Sequence, residues 1–402
     1  MATGFEPSDT KRSARRAAYF FVILIGFTSL FADMVYEGAR SISGPYLAEL
    51  GASGTVVGIV AGLGELLGCT LRLATGYLSD RTRRYWTLTI SGYVLTALAV
   101  PALALAGSWQ IASFLLILER IGKGIRSPSK DTLLSQATKT IGHGKGFGLH
   151  ELLDQIGAVA SPLLLAAVLA WRHDYRLAFA LLLIPAVLSI GVLLFARTAS
   201  PQTEDAASRA TPLATKGFPR AFWWYIGAVG LIAAGYVDFP LIAFHVGREN
   251  IATAPWIPIL YAVAMAVDAV AAVIFGALFD RIGFVTLAIA GLSAAFFAPL
   301  AFAGSLPLVV AGMVLWGIGL GAQESILRAA IAQMTSIERR GTAYGIFNTG
   351  YGLCWFAGSA LLGILYDVSL PALIGVSVGL QLLGVIFLFA LSRRLTFANG
   401  NG

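Results

Sequence analysis

The stretch YWTLTISGYVLTALAVPALALA, residues 85–106, is an unbroken apolar run. Its length matches the roughly 20 residues that an α-helix needs to cross about 30 Å of hydrocarbon. Residues 284–304 form a second run of the same kind. Strands of a membrane β-barrel would instead alternate apolar and polar side chains over segments of about 10 residues. These runs therefore predict membrane-spanning helices.

The composition of the whole chain supports the same class. Of its 402 residues, 57% are hydrophobic and only 12% are charged, whereas a soluble domain carries about 25% charged residues. So few charged side chains cannot cover a soluble globule, and so hydrophobic a chain does not stay disordered. Glycine supplies 45 residues, and small residues let membrane helices approach closely. We therefore predict an all-α membrane protein.

The apolar runs indicate twelve spans, and the charged loops indicate their orientation. Basic residues concentrate in alternate loops, and the other loops hold only Arg172, Arg176 and Arg248. Because cytoplasmic loops are rich in Lys and Arg, both termini are predicted to be cytoplasmic. The net charge of +7 then follows from topology, and no nucleic-acid partner is expected. The predicted spans are 18–47, 54–79, 85–106, 109–137, 146–170, 176–196, 221–246, 255–279, 284–304, 306–334, 342–366 and 371–392.

A polar stretch divides the spans into two sets of six. Residues 198–220 (TASPQTEDAASRATPLATKGFPR) lack apolar periodicity and are rich in Pro, Ser, Thr and Ala, which is typical of a flexible linker. We predict an N-terminal six-helix bundle over residues 1–197, a cytoplasmic linker over 198–220 and a C-terminal six-helix bundle over 221–402.

The two halves share sequence at a nearly constant offset. GYLSDR at 76–81 corresponds to GALFDR at 276–281, and IGKG at 121–124 corresponds to IGLG at 318–321. A duplication of six spans keeps the same orientation, so it predicts two bundles related by an axis along the membrane normal. In such proteins the substrate path lies between the bundles near the midplane.

Over essentially its whole length the chain resembles the major facilitator superfamily. GYLSDRTRR at 76–84 is similar to the family's G-x-L-x-D-R-x-G-R-R/K loop, with Arg83 in place of a Gly. GAVASP at 157–162 resembles the G-x-x-x-G-P motif of the family's proton antiporters, with Ser161 for the second Gly. RIGKGIRSPSKD at 120–131 resembles bacterial facilitators described as efflux permeases. The resemblance implies twelve helices in two bundles with pseudo-twofold symmetry, in a bacterial cytoplasmic (inner) membrane.

With the span ends left out, fifteen charged residues lie within the predicted spans. At about 2.5–3.5 kcal/mol each, unpaired charges in such number would cost roughly 40 kcal/mol, so they must face water or one another. Asp33, Glu37 and Arg40 follow an i, i+4, i+7 spacing and share one helix face. The acids are Asp33, Glu37, Glu65, Glu119, Glu151, Asp154, Asp238, Asp268 and Glu324, and the bases are Arg40, Arg72, Arg120, Lys123, Arg126 and Arg328.

The N-terminal half is the more ionic, so we expect it to carry proton coupling. This role needs a carboxylate that gains and loses a proton near the working pH. Asp33 is the first choice because it lies near mid-depth beside the like charge of Glu37; Glu119 and Asp154 come next, although Lys123 one turn away would hold Glu119 ionised. The proton-coupling candidates are Asp33, Glu37, Glu119 and Asp154.

The resemblance implies that spans 1, 4, 7 and 10 line a central cavity. Aromatic rings at mid-span would add walls for a flat or cationic solute. The substrate-cavity candidates are Tyr36, Arg40, Arg120, Lys123, Arg126, Glu151, Tyr236, Asp238, Trp316, Glu324 and Trp355.

The repeated loop motif predicts a conformational latch. Asp80 is expected to cap the helix that begins near 341–343, because a carboxylate is favourable at a helix N-terminus. The resemblance implies that Arg84 reaches Asp131, so that both contacts lock the cytoplasmic side in the outward-open state. The latch candidates are Gly76, Asp80, Arg81, Arg84, Asp131, Asp280 and Arg281.

These features favour a secondary active transporter that exports a small organic solute or drug in exchange for protons. The sequence lacks the G-x-x-x-x-G-K-[ST] phosphate loop, so ion gradients are the expected energy source. One alternative is transport of an organic anion, which suits the Arg/Lys cluster of span 4. Others are transport of a divalent metal ion through Asp33, Asp238 and His245, and a non-transporting assembly or sensor protein. We expect a monomer in the lipid bilayer, with no cofactor, no resident metal and no enzymatic activity.

Overall fold

A computed structural model describes residues 7–139, 141–199, 217–283, 285–335 and 339–399. Within these ranges the chain forms helices and no strands, as predicted. Several predicted spans consist of two shorter helices. The helices are α1 (Pro7–Glu49), α2 (Gly54–Thr82), α3 (Tyr85–Ala102), α4 (Trp109–Thr138), α5 (His143–Arg172), α6 (Tyr175–Leu181), α7 (Leu183–Ala199), α8 (Arg220–Gly235), α9 (Phe239–Arg248), α10 (Trp256–Ile282), α11 (Val285–Ala295), α12 (Phe297–Ala301), α13 (Leu306–Met334), α14 (Arg340–Val368) and α15 (Leu370–Asn399).

The helix lengths confirm the membrane architecture. Ten helical segments in the described ranges are long and apolar enough to cross a membrane, and Val285–Ala301 is a shorter apolar helix. The remaining segment, α4, is long enough with 30 residues but carries Glu119, Arg120, Lys123 and Arg126 near its middle. Together these segments account for the twelve predicted spans. Most of the predicted linker, residues 200–216, lies outside the described residues.

The sequence repeat corresponds to equivalent helix crossings. Gly157 of α5 lies against Leu30 of α1 so closely that a Cβ would overlap the Leu30 carbonyl oxygen. The equivalent crossing in the second half sets Gly358 of α14 against the Ala234 carbonyl of α8. Only glycine allows this close approach of two membrane helices. Each half therefore contains the same type of glycine-mediated helix crossing.

The helices alternate between two sides of the bundle. We name the side where α1 begins the near side, and the side where it ends at Glu49 the far side. Helix α2 packs along α14, α5 packs on α10, and α1 packs on α9, which joins the two halves. At the far end of α1, a Cβ on Gly44 would overlap the carbonyl of Pro240 in α9. The halves are therefore closed against each other at the far side.

The far side also carries a helix cap that crosses between the halves. The carboxylate of Asp367, near the end of α14, accepts hydrogen bonds from the backbone N–H groups of Gly54 (3.0 Å) and Thr55 (2.7 Å). It accepts a third from the Thr55 hydroxyl at 2.7 Å. A carboxylate at the first turn of a helix satisfies its free N–H groups and its positive dipole. Asp367 thus fixes the start of α2 to the end of α14.

Candidate transport site

Tyr36 on α1 lies at the centre of the first charge cluster. Arg120 of α4 donates a hydrogen bond to the Tyr36 hydroxyl, and its guanidinium carbon lies 4.5 Å from the ring centroid. The same guanidinium makes an ion pair of 2.7 Å with Glu65 of α2. The Lys123 ammonium, one turn further along α4, lies 3.4 Å from the Tyr36 ring centroid. This cluster joins α1, α2 and α4 near the middle of each helix.

Arg126 and Asp33 form a second cluster one turn nearer the near side. Their closest nitrogen and oxygen are 3.9 Å apart, so the pair is loose. The Arg126 guanidinium also donates to the Thr96 hydroxyl at 3.1 Å and lies 4.4 Å from the Tyr93 ring centroid. Arg126 is thereby held by α3, while 18% of the Asp33 side chain remains exposed.

His150 is the centre of a third cluster between α1, α4 and α5. Its Nε2 lies 3.1 Å from the Lys130 ammonium and 2.9 Å from the Ser29 hydroxyl. An ammonium only donates, so Nε2 accepts, and the Nδ1–H group faces Asp154 at 3.3 Å. Donor atoms of His150, Glu151 and Asp154 lie within 4.8 Å of one another, but the Lys130 charge opposes a bound cation.

Three contacts of buried polar groups cross between the halves. Arg40 of α1 pairs with Asp238 at 2.9 Å. The Tyr261 hydroxyl of α10 donates to Glu37 at 2.5 Å. The Gln155 amide of α5 donates to Asp268 of α10 over a long 3.5 Å, and the second carboxyl oxygen of Asp268 is buried without a partner. All of these contacts lie at the middle of the helices or towards the far side.

Asp238 is buried, and both of its carboxylate oxygens have partners within the protein. It lies in the break between α8 and α9 with 2% of its side chain exposed. Besides Arg40, it accepts hydrogen bonds from Trp355 Nε1 at 2.7 Å and the Ser359 hydroxyl at 3.2 Å. Its oxygens are satisfied by the protein itself, so the prediction that Asp238, Arg40 and Trp355 line an open cavity does not hold in this conformation.

Tyr236 and Trp316 are buried and do not line a cavity, which corrects the prediction. The Tyr236 hydroxyl donates to the Trp316 carbonyl, and Trp316 Nε1 donates to the Val237 carbonyl at 2.9 Å. The reason is the interruption between α8 and α9, which leaves carbonyls without helical partners. Within a membrane such groups must be satisfied internally, and Trp316 supplies a donor to the Val237 carbonyl while both rings fill the space around the break.

The predicted pairing of Glu119 is also corrected. Its nearest cation is Arg120, with 3.6 Å between carboxylate oxygen and guanidinium nitrogen, and not Lys123 one turn away. Glu119 is 5% exposed and its second oxygen is buried without a partner.

Glu151 and Glu324 are exposed. The side chain of Arg328 lies outside the described part of the chain.

Among the described residues, the latch contacts predicted at the near side are not formed in this conformation. Asp80 accepts a hydrogen bond from Tyr85 at 3.3 Å, and α14 begins without a side-chain cap. Asp131 lies 3.7 Å from Lys130, and Arg84 is exposed. Asp80 and Asp131 are engaged within their own half, by Tyr85 and Lys130 respectively. Gly76 packs against Pro128, and the remaining candidates, Arg81, Asp280 and Arg281, are exposed at helix ends.

Sequence reasoning missed Tyr261 and gave no role to Lys130. Tyr261 lies in an apolar run, and nothing in the sequence distinguishes it from a packing residue. Lys130 was recognisable only as part of the 120–131 motif, although its i, i+4 spacing from Arg126 places both on one face of α4. Asp268 was counted among the buried acids but was not chosen as a site residue.

A family model for the Major Facilitator Superfamily matches residues 20–359 and, in a second alignment, residues 239–399. The chain belongs to the major facilitator superfamily. An uncharacterized protein of Mycobacterium tuberculosis is 41% identical to it over 382 residues, 93% of each chain. An uncharacterized MFS-type transporter of Methanocaldococcus jannaschii is 28% identical over 366 residues, 87% of this chain and 89% of its own.

Two further proteins extend the comparison of this superfamily member. The multidrug resistance protein MdtH of Aeromonas hydrophila is 23% identical over 367 residues, 89% of each chain. The crystal structure of the peptide transporter POT in complex with sulfate superimposes with a TM-score of 0.75 at 13% identity, covering 93% of this chain and 94% of that one. The superposition shows a shared fold. The protein is thus an integral multi-pass membrane protein of a transporter family whose substrates are small molecules.

Proposed function

We propose that this protein exports a small organic solute in exchange for protons by alternating access. The observation that carries the proposal is the partial exposure of charged groups at the middle of membrane helices. The side chains of Asp33, Glu65 and Asp154 are 18%, 25% and 18% exposed, respectively. Ionised groups at this depth are favourable only where water reaches them or a partner neutralises them. A water-filled vestibule between the halves meets this need.

The conformation fits one state of such a cycle. The far side is closed by Arg40 with Asp238, by Glu37 with Tyr261 and by the Asp367 cap. The near-side latch is not formed among the described residues. The concentration of basic residues in near-side loops supports the near side as cytoplasmic, so the conformation corresponds to an inward-facing state of a protein with cytoplasmic termini.

Two features support export and proton coupling over import. The stretch 157–162 resembles the motif of proton antiporters in this superfamily, and Gly157 lies at the close crossing of α5 with α1. The relative MdtH is named as a multidrug resistance protein, which fits removal of a solute from the cell. The sequence contains no phosphate loop for nucleotide-driven transport.

Asp33 is the proposed proton carrier. Its pairing with Arg126 is loose at 3.9 Å, and Arg126 keeps its other contacts to Thr96 and Tyr93 when Asp33 is neutral. Protonation of Asp33 would therefore remove one charge from the α1–α4 contact without leaving Arg126 unsatisfied. Glu37, Glu119 and Asp154 are the further candidates, since each has a buried or interhalf contact that depends on its charge.

The test is solute-triggered proton movement in proteoliposomes, measured with an entrapped pH-sensitive dye. A library of small acids, amines and neutral solutes is screened against wild type and Asp33→Asn, with Asp33→Glu as the charge-retaining control. We expect wild type and Asp33→Glu to move protons with at least one solute. Asp33→Asn should retain solute exchange but lose proton movement. Full proton-driven activity in Asp33→Asn would exclude Asp33, and a solute transported by wild type without protons would exclude coupling.

A further inference from the structure

Two cations at the middle of the N-terminal half form no ion pair with any described residue. Lys123 makes its contact with the face of the Tyr36 ring, and among the described residues its ammonium forms no ion pair. Arg72 on α2 likewise forms no ion pair with any described residue, and its Nε is buried without a hydrogen-bond partner. Both side chains are only half-buried, so a solute in the vestibule can reach them.

The crossing of α2 and α4 brings these two cations together. Gly124 of α4 lies against Leu71 of α2, where a Cβ would be 3.0 Å from Leu71 Cβ. One turn on, the Thr75 hydroxyl donates to the Gly124 carbonyl at 3.0 Å. Lys123 and Arg72 are the direct chain neighbours of the two residues in contact. They are close enough for each charge to act on the other.

The acids around them already have partners. Glu65 is held by Arg120 at 2.7 Å, and Glu119 also faces Arg120. Glu37 accepts the Tyr261 hydroxyl, and Asp33 faces Arg126. A cation at this depth without an ion-pair partner is unfavourable, and two neighbouring cations also repel each other. A bound anion removes both costs.

We propose that Lys123 and Arg72 bind the carboxylate of a small organic acid, with the Tyr36 ring beside it. A guanidinium matches a carboxylate with two parallel N–H donors, and an ammonium adds a point charge. The inference rests on the proposed transport function and names the substrate class for its site. It selects the organic-anion alternative over a cationic drug, since an organic cation would meet two like charges here.

The test is ligand-dependent thermal stabilisation of the full-length protein in detergent. The probes are three carboxylates (acetate, hexanoate and benzoate), their three amides, and benzylamine. We expect at least one carboxylate to stabilise wild type, while the matched amide and benzylamine do not. Lys123→Gln and Arg72→Gln should each raise the dissociation constant about tenfold or more, since each removes a charge-assisted hydrogen bond to the carboxylate.

Two matched controls separate charge from folding. Lys123→Arg keeps the positive charge and should keep carboxylate binding, and Lys145→Gln removes an exposed near-side charge and should bind as wild type does. Melting without ligand shows whether each variant is folded. Stabilisation by benzylamine or by the amides alone, or by no probe, overturns the inference, as does unchanged carboxylate affinity in folded Lys123→Gln and Arg72→Gln. Failure of carboxylate binding would leave solute-driven proton movement unaffected. The proposed function is therefore judged separately, by the proteoliposome assay.

Discussion

At the scale of single residues, the site consists of charges whose partners lie on other helices. Helical spacing placed Asp33, Glu37 and Arg40 on one face but did not identify what each would meet. Arg40 meets Asp238, 198 residues later; Glu37 meets Tyr261. Periodicity along one helix determines the direction of a side chain, whereas its partner depends on how the helices pack. This is why the set of buried charges could be predicted and the pairings could not.

The Arg40–Asp238 pair gives a stability prediction. Asp238→Asn keeps an acceptor for Trp355 and Ser359 but leaves the Arg40 charge, 10% exposed, without its carboxylate. Breaking such a buried pair costs about 3–5 kcal/mol. We expect a corresponding loss in the free energy of unfolding, measured by SDS titration in mixed micelles. The double variant Arg40→Met/Asp238→Asn should recover part of that loss, because the stranded cation is gone.

An exposed pair provides the control for this cycle. Arg248 lies 3.9 Å from Asp367 and is 53% exposed, so Arg248→Met should change stability by less than about 1 kcal/mol. If Asp238→Asn were as stable as wild type, or if the double variant lost more than the single one, Arg40 and Asp238 would not form an energetically coupled buried pair.

At the scale of secondary-structure elements, the sequence indicates most helices because apolar length and glycine spacing act locally. It does not reveal every interruption. The break at 236–238 precedes Pro240, which cannot donate a backbone hydrogen bond, yet the predicted span 221–246 runs through it. At the break Trp316 donates to the Val237 carbonyl and Trp355 donates to the Asp238 carboxylate. These rings and Tyr236 therefore pack around the break and not around a solute. A break in one helix thus explains the errors in the predicted cavity wall.

The Asp367 cap predicts how one element controls the conformation. Asp367→Ala removes three hydrogen bonds at the start of α2, and loss of a helix cap costs about 0.5–2 kcal/mol. Because the cap forms only when α2 and α14 meet at the far side, its loss should favour opening of that side. Spin labels at Trp171 and Thr253, both exposed at the far side, should report longer distances in Asp367→Ala. Unchanged distances would show that the cap does not contribute to far-side closure.

At the scale of the whole molecule, the proposed cycle has the two halves exchange contacts between opposite sides. Hydropathy, the glycine repeat and the loop motif were enough to predict the superfamily's architecture, because they follow from the bilayer and from duplication. They did not determine which of the alternating states would be observed. The far-side contacts and the unformed near-side latch together define a state that is closed at the far side.

Loss of the latch is expected to open the near side, whereas loss of the Asp367 cap is expected to open the far side. Asp80 and Arg84 make no interhalf contact among the described residues of this conformation, so removing them breaks no contact between the halves in this state. If their contacts form only when the near side closes, Asp80→Asn or Arg84→Ala should raise the population of the near-side-open state. Spin labels at the exposed Lys145 and Asp280 should then show the longer distance more often than in wild type. A shift toward the shorter distance would contradict the latch.

The central claim is that charged groups in the middle of the helices border a passage that water enters from one side at a time. Its most direct measurement is thiol labelling in a background where Ser replaces Cys69 and Cys354. Single cysteines in place of Asp33, Glu65 and Asp154 are treated with a membrane-impermeant methanethiosulfonate reagent, applied to either side of oriented vesicles. We predict labelling from the near side at all three positions, and labelling from the far side only in variants that open it, such as Asp367→Ala. Absence of labelling from both sides in folded protein would mean that these groups are sealed in dry ion pairs, and the transport mechanism would be contradicted.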